Sequence, residues 1–324
     1  MHILLRCDSS ATLGLGHLKR CLLLAERLRE ADNSLYISFA TQDLVGNINS
    51  EINAAGFTHY TLSSNRVEEL SSLINKLNLK LLIIDSYDID ADFEQNIKNN
   101  YQHVKILSFD DMLRPHSADI VLNHGIQSTK EDYKHLLSDT TTLLCGSEYT
   151  LLRDEFFVKY NHIIIPKTIA IILGGNDVLN LSLQLAKLLL EIDTNFKIIL
   201  ITTSVNPNLK TLKENNTIET LVDIKNIAEV LASKELVITA SGGTFFEVLA
   251  LGKKFITIEV ADNQKKVSEF LENKEIFTTI EAENITKEIL EEKIKYINEN
   301  DIYQKLDLHF SKDTLARKIL EELR

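Results

Sequence analysis

The chain has 324 residues, beyond the usual ceiling for one hydrophobic core, so two domains are the default expectation. Its 44% hydrophobic and 25% charged residues are the balance of a water-soluble globular protein. The net charge of -12, with no basic run longer than pairs such as Lys253-Lys254 and Lys265-Lys266, argues against a nucleic-acid partner.

No stretch approaches ~18 consecutive apolar residues, so no membrane insertion is expected. The chain turns polar within eight residues of its start, which reads as the absence of a signal peptide and a cytoplasmic location. Cys7, Cys21 and Cys145 are odd in number and widely spaced, with no Cys-x-x-Cys pair. They read as buried thiols; neither a disulfide framework nor a metal site is expected, and no cofactor is called for.

In chain order, the first half alternates short apolar runs with amphipathic stretches. Strands are predicted at 3–7, 35–39, 81–85, 104–109 and 120–122, with helices at 17–31, near 44–55 and at 67–77. The first helix carries Leu18, Cys21, Leu22, Ala25 and Leu28 at three- and four-residue spacing, which makes one apolar stripe. The segment between Cys145 and Lys167 holds Gly146, Pro166 and several aromatics, and is the expected boundary. Beyond it the pattern repeats. Strands are predicted at 168–173, 197–202, 219–221, 235–239 and 255–260, with helices at 180–191, 227–232 and 244–251. Two further helices, 287–298 and 313–323, close the chain, with Asp313 read as an N-cap. Strands alternating with helices in this way predict an α/β protein with two doubly wound parallel sheets.

In open parallel sheets, ligands bind outside the carboxyl ends of the strands. Gly14-Leu15-Gly16-His17 joins the first strand to the first helix. Two glycines bring the backbone close to a ligand, and the helix start offers unpaired N–H groups. His17 there reads as a general base, the plain alternative being a polar residue that merely starts a helix. Asp8, Asp85-Ser86-Tyr87, Asp110-Asp111 and Asn123-His124 follow other strands of the same half. The aspartates read equally as caps or turn formers, and at most one of Asp110 and Asp111 should face the site, because neighbours on extended chain point opposite ways. In the second half, Gly174-Gly175-Asn176-Asp177 and Ser241-Gly242-Gly243-Thr244 sit at strand-to-helix turns whose amides suit a diphosphate. Glu247 lies one turn into the second of those helices, within reach of ribose hydroxyls, and Asn263-Gln264 follows the next strand. No lysine follows the glycines as in a P-loop, which disfavours phosphoryl transfer of that type.

These motifs together resemble one family. Gly14 to Arg20, Ile84-Asp85-Ser86-Tyr87, Ser108 to Asp111, Tyr149 to Phe156, Leu173 to Asp177, Ala240 to Glu247 and Asn263-Gln264 occur in the order found in the UDP-2,4-diacetamido-2,4,6-trideoxy-β-L-altropyranose hydrolases of pseudaminic acid biosynthesis. The resemblance runs from residue 1 to about residue 270. It implies a GT-B fold, with two doubly wound domains facing a cleft: a sugar-binding catalytic domain (1–150), a UDP-binding domain (151–284) and a helical tail (285–324) packed on them. It further implies inverting hydrolysis of the UDP-sugar at its anomeric carbon, on a route that serves flagellin glycosylation. His17 would deprotonate the water, Gly14, Gly16 and Tyr87 would surround the sugar, and Arg153 would face the substrate. Gly174, Gly175, Asn176, Ser241, Gly242, Gly243, Thr244, Glu247, Asn263 and Gln264 would hold UDP. A monomer is the expected state. Two other readings stay open: a UDP-sugar glycosyltransferase in which His17 deprotonates an acceptor hydroxyl, and a non-catalytic nucleotide-sugar sensor. Release of free sugar without any acceptor separates the first of these from a hydrolase.

Overall fold

The computed structural model describes residues 1–175, 177, 179–215 and 217–324. The chain divides into two compact units, Met1–Leu151 with His309–Arg324, and Leu152–Leu308. Asn176 lies outside the described residues.

The first unit runs β1 (His2–Cys7), α1 (Gly16–Ala31), β2 (Tyr36–Gln42), α2 (Ser50–Ala54), β3 (Thr58–Leu62), α3 (Val67–Leu77), β4 (Leu79–Asp85), α4 (Ala91–Asn100), β5 (Lys105–Phe109), β6 (Ile120–Asn123) and β7 (Thr142–Cys145). Its strands form one parallel sheet in the order β3-β2-β1-β4-β5-β6-β7. Both faces are covered, which is why β1 carries the continuous apolar run Ile3-Leu4-Leu5. Ile3, Leu5 and Cys7 pack with the Leu18, Cys21, Ala25 and Leu28 stripe of α1, while Leu4, one residue out of phase, packs with Leu70, Ile74 and Ile97 of α3 and α4.

The second unit runs β8 (Ile165–Ile172), α5 (Ser182–Ile192), β9 (Lys197–Thr202), α6 (Leu209–Glu214), β10 (Glu219–Val222), α7 (Ile227–Ala232), β11 (Lys234–Ala240), α8 (Gly243–Ala250), β12 (Lys254–Glu259), α9 (Lys265–Asn273), β13 (Thr279–Glu281) and α10 (Lys287–Glu299). Its sheet is also parallel, in the order β10-β9-β8-β11-β12-β13. The last helix, α11 (Thr314–Glu322), returns to the first unit. The segment 285–324, drawn from the sequence as one tail, is thus divided: α10 packs on α5, and α11 lays Leu315, Ala316, Ile319 and Leu320 against the α1 core.

Several local expectations give way for identifiable reasons. The helix read near 44–55 shrinks to α2, because Gly46 turns at φ +77° and Asn47 and Asn49 take turn bonds before it. Strands β3, β7 and β13 and helices α4, α6 and α9 went unread. Strand β3 is largely polar, β7 and β13 are four and three residues long, and α4 buries only Glu94 and Ile97. Asp313 makes no side-chain cap: its own backbone is helical, and Ser311 Oγ accepts from the Thr314 N–H at 3.3 Å instead.

In both sheets the strand entered first, β1 or β8, lies between the two halves of the winding, so chain order reverses beside it. The loops after β1 and β4, and those after β8 and β11, flank these switch points. In the first unit a buried polar cluster fixes the neighbouring edge. Glu94 accepts from His116 Nδ1 (2.8 Å), Ser108 Oγ (2.5 Å) and the Ser117 N–H (2.6 Å). His116 Nε2 lies 3.7 Å from Asp110, which also accepts from the Tyr133 hydroxyl at 2.7 Å and has Arg114 Nε 3.8 Å away. Burial alone would lower the His116 imidazole, but Asp110 and Glu94 on either side push it up to about 9.

Two stability predictions follow from this packing. Ile319→Ala, at a fully buried position, should cost about 2–5 kcal/mol, read as a shift in the urea midpoint. The His116 contribution should be fully present below its unfolded value of 6.5 and lost as pH rises through about 9. Urea unfolding across that window should show the loss, and His116→Gln should flatten it.

Candidate active site

After β1 the chain makes a tight loop in which Ser10 and Gly14 exchange two backbone hydrogen bonds, 3.2 and 3.0 Å. Gly14 sits at φ +80°, a left-handed conformation that favours glycine, and Gly16 opens α1 with clear space where a Cβ would stand. Asp8 is not part of the site: Arg6 Nη2 donates to it at 2.5 Å and the Gln42 N–H at 2.7 Å, so it locks the strand ends.

His17 follows at the start of α1 and is 8% exposed. Its Nδ1 lies 2.6 Å from Oδ1 of Asp85, at the end of β4 across the switch point. Arg20, one turn on along the same helix face, clamps that carboxylate through Nε to Oδ2 and Nη2 to Oδ1, both 2.6 Å. Cys21 Sγ points to Oδ2 at 3.6 Å. Burial alone would raise the Asp85 carboxyl, but the charge and hydrogen bonds of Arg20 and the contact with His17 hold it well below the usual carboxylate range. A permanently ionised carboxylate can only accept, so the proton in the 2.6 Å contact belongs to His17 Nδ1. That tautomer leaves a lone pair on Nε2. Arg20 Nη2, 3.1 Å from Nδ1, is there because both address the same oxygen.

Arg20 serves a second carboxylate. Its Nη1 donates to Asp111 Oδ2 at 3.0 Å and to His124 Nε2 at 3.3 Å, and its guanidinium carbon sits 5.0 Å from the centre of the Phe109 ring. Burial, then the charge of Arg20, drive the His124 imidazole down to about 4, so it stands neutral as an acceptor. Tyr87 donates its hydroxyl to Asp111 at 2.9 Å and stands edge-on to the His17 ring, centroids 4.7 Å apart at 82°. It is 40% exposed, and Arg114 Nη1 donates to its carbonyl at 2.9 Å. Of the two neighbouring aspartates, Asp111 therefore faces the site, and Asp110 turns into the Tyr133–His116 cluster while accepting from the Met112 and Arg114 N–H groups.

The ensemble thus holds two carboxylates against one guanidinium. Only one of the two carboxylates, Asp85, meets the His17 ring directly; Asp111 reaches it through Tyr87. The structure brings His17 and Tyr87, both expected from the sequence, together with Asp85, Asp111 and His124, whose roles the sequence left undecided. Sequence reading missed Arg20 as the hub, although its three-residue spacing from His17 was the available signal.

In the second unit the loops after β8, β11 and β12 adjoin, because those strands are neighbours. Gly174 turns at φ +77°, and the Gly175 carbonyl accepts from Thr203 Oγ1 at 2.8 Å. Asp177 caps the next helix, accepting from the Leu181 and Ser182 N–H groups at 2.9 and 3.0 Å. Ser241 is buried and ties its N–H to the Ile258 carbonyl at 3.1 Å. Gly242 is the N-cap of α8, Gly243 and Thr244 form its first turn, and no side chain among the described residues caps it. Gln264 accepts from the Val260 N–H at 3.0 Å and brings its Nε2 within 3.8 Å of where a Gly242 Cβ would stand; Asn263 beside it is exposed. Glu247, 8% exposed, is held by Arg153 in a two-bond fork: Nε to Oε1 at 2.7 Å and Nη2 to Oε2 at 2.8 Å. The two residues read separately from the sequence thus form one ion pair.

The family model for the glycosyltransferase family 28 C-terminal domain matches residues 169–322. Over 279 residues the chain is 36% identical to the UDP-2,4-diacetamido-2,4,6-trideoxy-beta-L-altropyranose hydrolase of Campylobacter jejuni subsp. jejuni serotype O:2, covering 85% of this chain and 97% of that protein. Among solved structures, Acinetobacter baumannii MurG superposes with a TM-score of 0.64 at 12% identity, covering 99% of each chain. The UDP-GlcNAc 2-epimerase of Neisseria meningitidis, bound to UDP-GlcNAc, gives 0.63 at 12% identity, covering 100% of this chain and 99% of that one. These two likenesses concern the fold, which is GT-B as expected. No described helix is long and apolar enough to cross a membrane. The chain belongs to the family of UDP-2,4-diacetamido-2,4,6-trideoxy-β-L-altropyranose hydrolases, and is an enzyme of the nucleotide-sugar hydrolase type.

Proposed function

We propose that this enzyme hydrolyses UDP-2,4-diacetamido-2,4,6-trideoxy-β-L-altropyranose to UDP and the free sugar with inversion, as a cytoplasmic monomer in pseudaminic acid biosynthesis. The observation that carries the reading is the 2.6 Å contact between His17 Nδ1 and Asp85, which leaves Nε2 as a lone-pair base beside an open loop. The family relationship to the Campylobacter hydrolase supports the choice of substrate.

Water is a poor nucleophile at neutral pH, and a positioned base typically contributes ~10²–10⁴-fold. In the proposed step His17 Nε2 takes a proton from water as the water oxygen attacks the anomeric carbon. The bond from that carbon to the diphosphate oxygen breaks, and its electron pair leaves with UDP. Asp85 acts as a positioning residue, fixing the imidazole tautomer and facing the imidazolium that forms. Tyr87 and Asp111 border the sugar. Ser241 to Thr244, around the uncapped start of α8, and the Gly174-Gly175 turn meet the diphosphate and its growing charge. Glu247 takes the ribose hydroxyls, and Asn263 and Gln264 complete the nucleotide contacts. A diphosphate leaves readily when so held, so a second carboxylic acid like that of a glycosidase is unnecessary.

His17→Ala should lower kcat by roughly 10²–10⁴-fold while UDP affinity stays within about threefold, read by product NMR and calorimetry. Equal turnover in mutant and wild type would remove His17 from the reaction. Asp85→Asn should also cut kcat by at least ~10²-fold, because its amide can donate to Nδ1 and force the proton to Nε2. Glu247→Ala should act in the opposite sense, mainly weakening nucleotide binding. Proton NMR of wild type with the UDP-sugar and no acceptor should show free sugar of inverted anomeric configuration. If turnover requires an added hydroxyl acceptor, the enzyme is a transferase.

A further inference from the structure

We propose that Arg153 is a positioning residue for the nucleotide: it keeps the buried Glu247 carboxylate ionised and aimed, and does not itself touch the substrate. This rests on the reading of Glu247 as the ribose-binding group, and it reassigns an arginine that the family resemblance had facing the substrate.

The partly exposed guanidinium is held by groups of its own unit. Nε and Nη2 fork onto the two Glu247 oxygens at 2.7 and 2.8 Å, and Nη1 meets Glu155 Oε1 at 3.3 Å. Glu155 is itself pinned, accepting from the Ile227 N–H at 3.0 Å. The guanidinium carbon lies 5.0 Å from the centre of the buried Phe156 ring. Each nitrogen thus faces a carboxylate, and any movement that turned Nε and Nη2 toward a phosphate would break a two-bond fork of the strongest kind. Each Glu247 oxygen still has a lone pair beyond the one Arg153 uses, enough for a pair of vicinal hydroxyls.

The charged groups facing Glu247 are Arg153 and Glu155. Burial raises the Glu247 carboxyl, Arg153 opposes this, and Glu155 adds to it. Without the arginine, two carboxylates would share a largely dry site, and one would take a proton. A protonated Glu247 offers the ribose one acceptor oxygen fewer. Loss of Arg153 should therefore make nucleotide affinity depend on pH, whereas loss of a direct phosphate contact would weaken it equally at every pH.

The test is calorimetric titration of UDP into the full-length wild type, Arg153→Met, Arg153→Lys and Glu247→Gln. The ratio of variant to wild-type Kd, taken at each pH between ~6 and ~9, cancels the titration of UDP itself. For Arg153→Met the ratio should rise roughly tenfold from the alkaline to the acid end, the size expected for losing a charged hydrogen bond. Arg153→Lys should bring the ratio back to a flat line near one, and Glu247→Gln should be weaker but flat. A ratio for Arg153→Met that is large and the same at all pH values would overturn the proposal in favour of direct contact. A ratio of one throughout would overturn it by leaving Arg153 with no role. If wild type itself fails to bind UDP, the nucleotide reading fails first and the proposal with it, an outcome distinguished by the silent wild type. Thermal melts of each variant exclude misfolding as the source of a changed ratio.

Discussion

The site depends on one buried guanidinium shared between two carboxylates. Arg20 holds Asp85 on one side and Asp111 on the other, and its charge is what keeps the fully buried Asp85 ionised against the cost of burial. Everything chemically useful follows from that charge. An ionised Asp85 obliges His17 to present its proton at Nδ1, and Asp111, by accepting the Tyr87 hydroxyl, fixes that ring edge-on against the imidazole.

The fold supplies this arrangement at little cost in special geometry. In a doubly wound sheet the loops after β1 and β4 are forced apart at the switch point, because the crossovers leave in opposite directions. His17 opens the helix that follows the first of those loops, and Asp85 ends the strand that precedes the second. The second unit repeats the device, with the Gly174-Gly175 turn and the Ser241 to Thr244 turn in the equivalent positions. The same GT-B scaffold underlies a MurG protein and a UDP-GlcNAc 2-epimerase at 12% identity, so the scaffold does not dictate the reaction. What this chain does is decided by the few side chains on those loops.

Much of the architecture was legible because burial writes itself into spacing. The three- and four-residue stripe of α1 and the Ile3-Leu4-Leu5 run of β1 report their surroundings directly. Elements that bury little, such as β3, α4 and the three-residue β13, carry no such signal. The site was half legible for a related reason. Gly14-Leu15-Gly16-His17 and Asp85-Ser86-Tyr87 announce themselves by following strands, but their partnership spans 68 residues and belongs to tertiary structure. Local spacing could not say that Arg20 points at Asp85, that Asp111 rather than Asp110 turns inward, or that Arg153 and Glu247 meet. Nor could it divide residues 285–324 between two units, since both closing helices look alike as amphipathic stripes.

The most direct measurement is the position of the proton on the His17 ring. Nitrogen-15 NMR of histidine-labelled enzyme, with His17→Ala used to assign its signals, reports which ring nitrogen is protonated. The account predicts a protonated Nδ1, shifted by a short bond to Asp85, and a bare Nε2. A proton resting on Nε2 with Nδ1 bare would contradict it, because the imidazole would then have no lone pair to offer the attacking water.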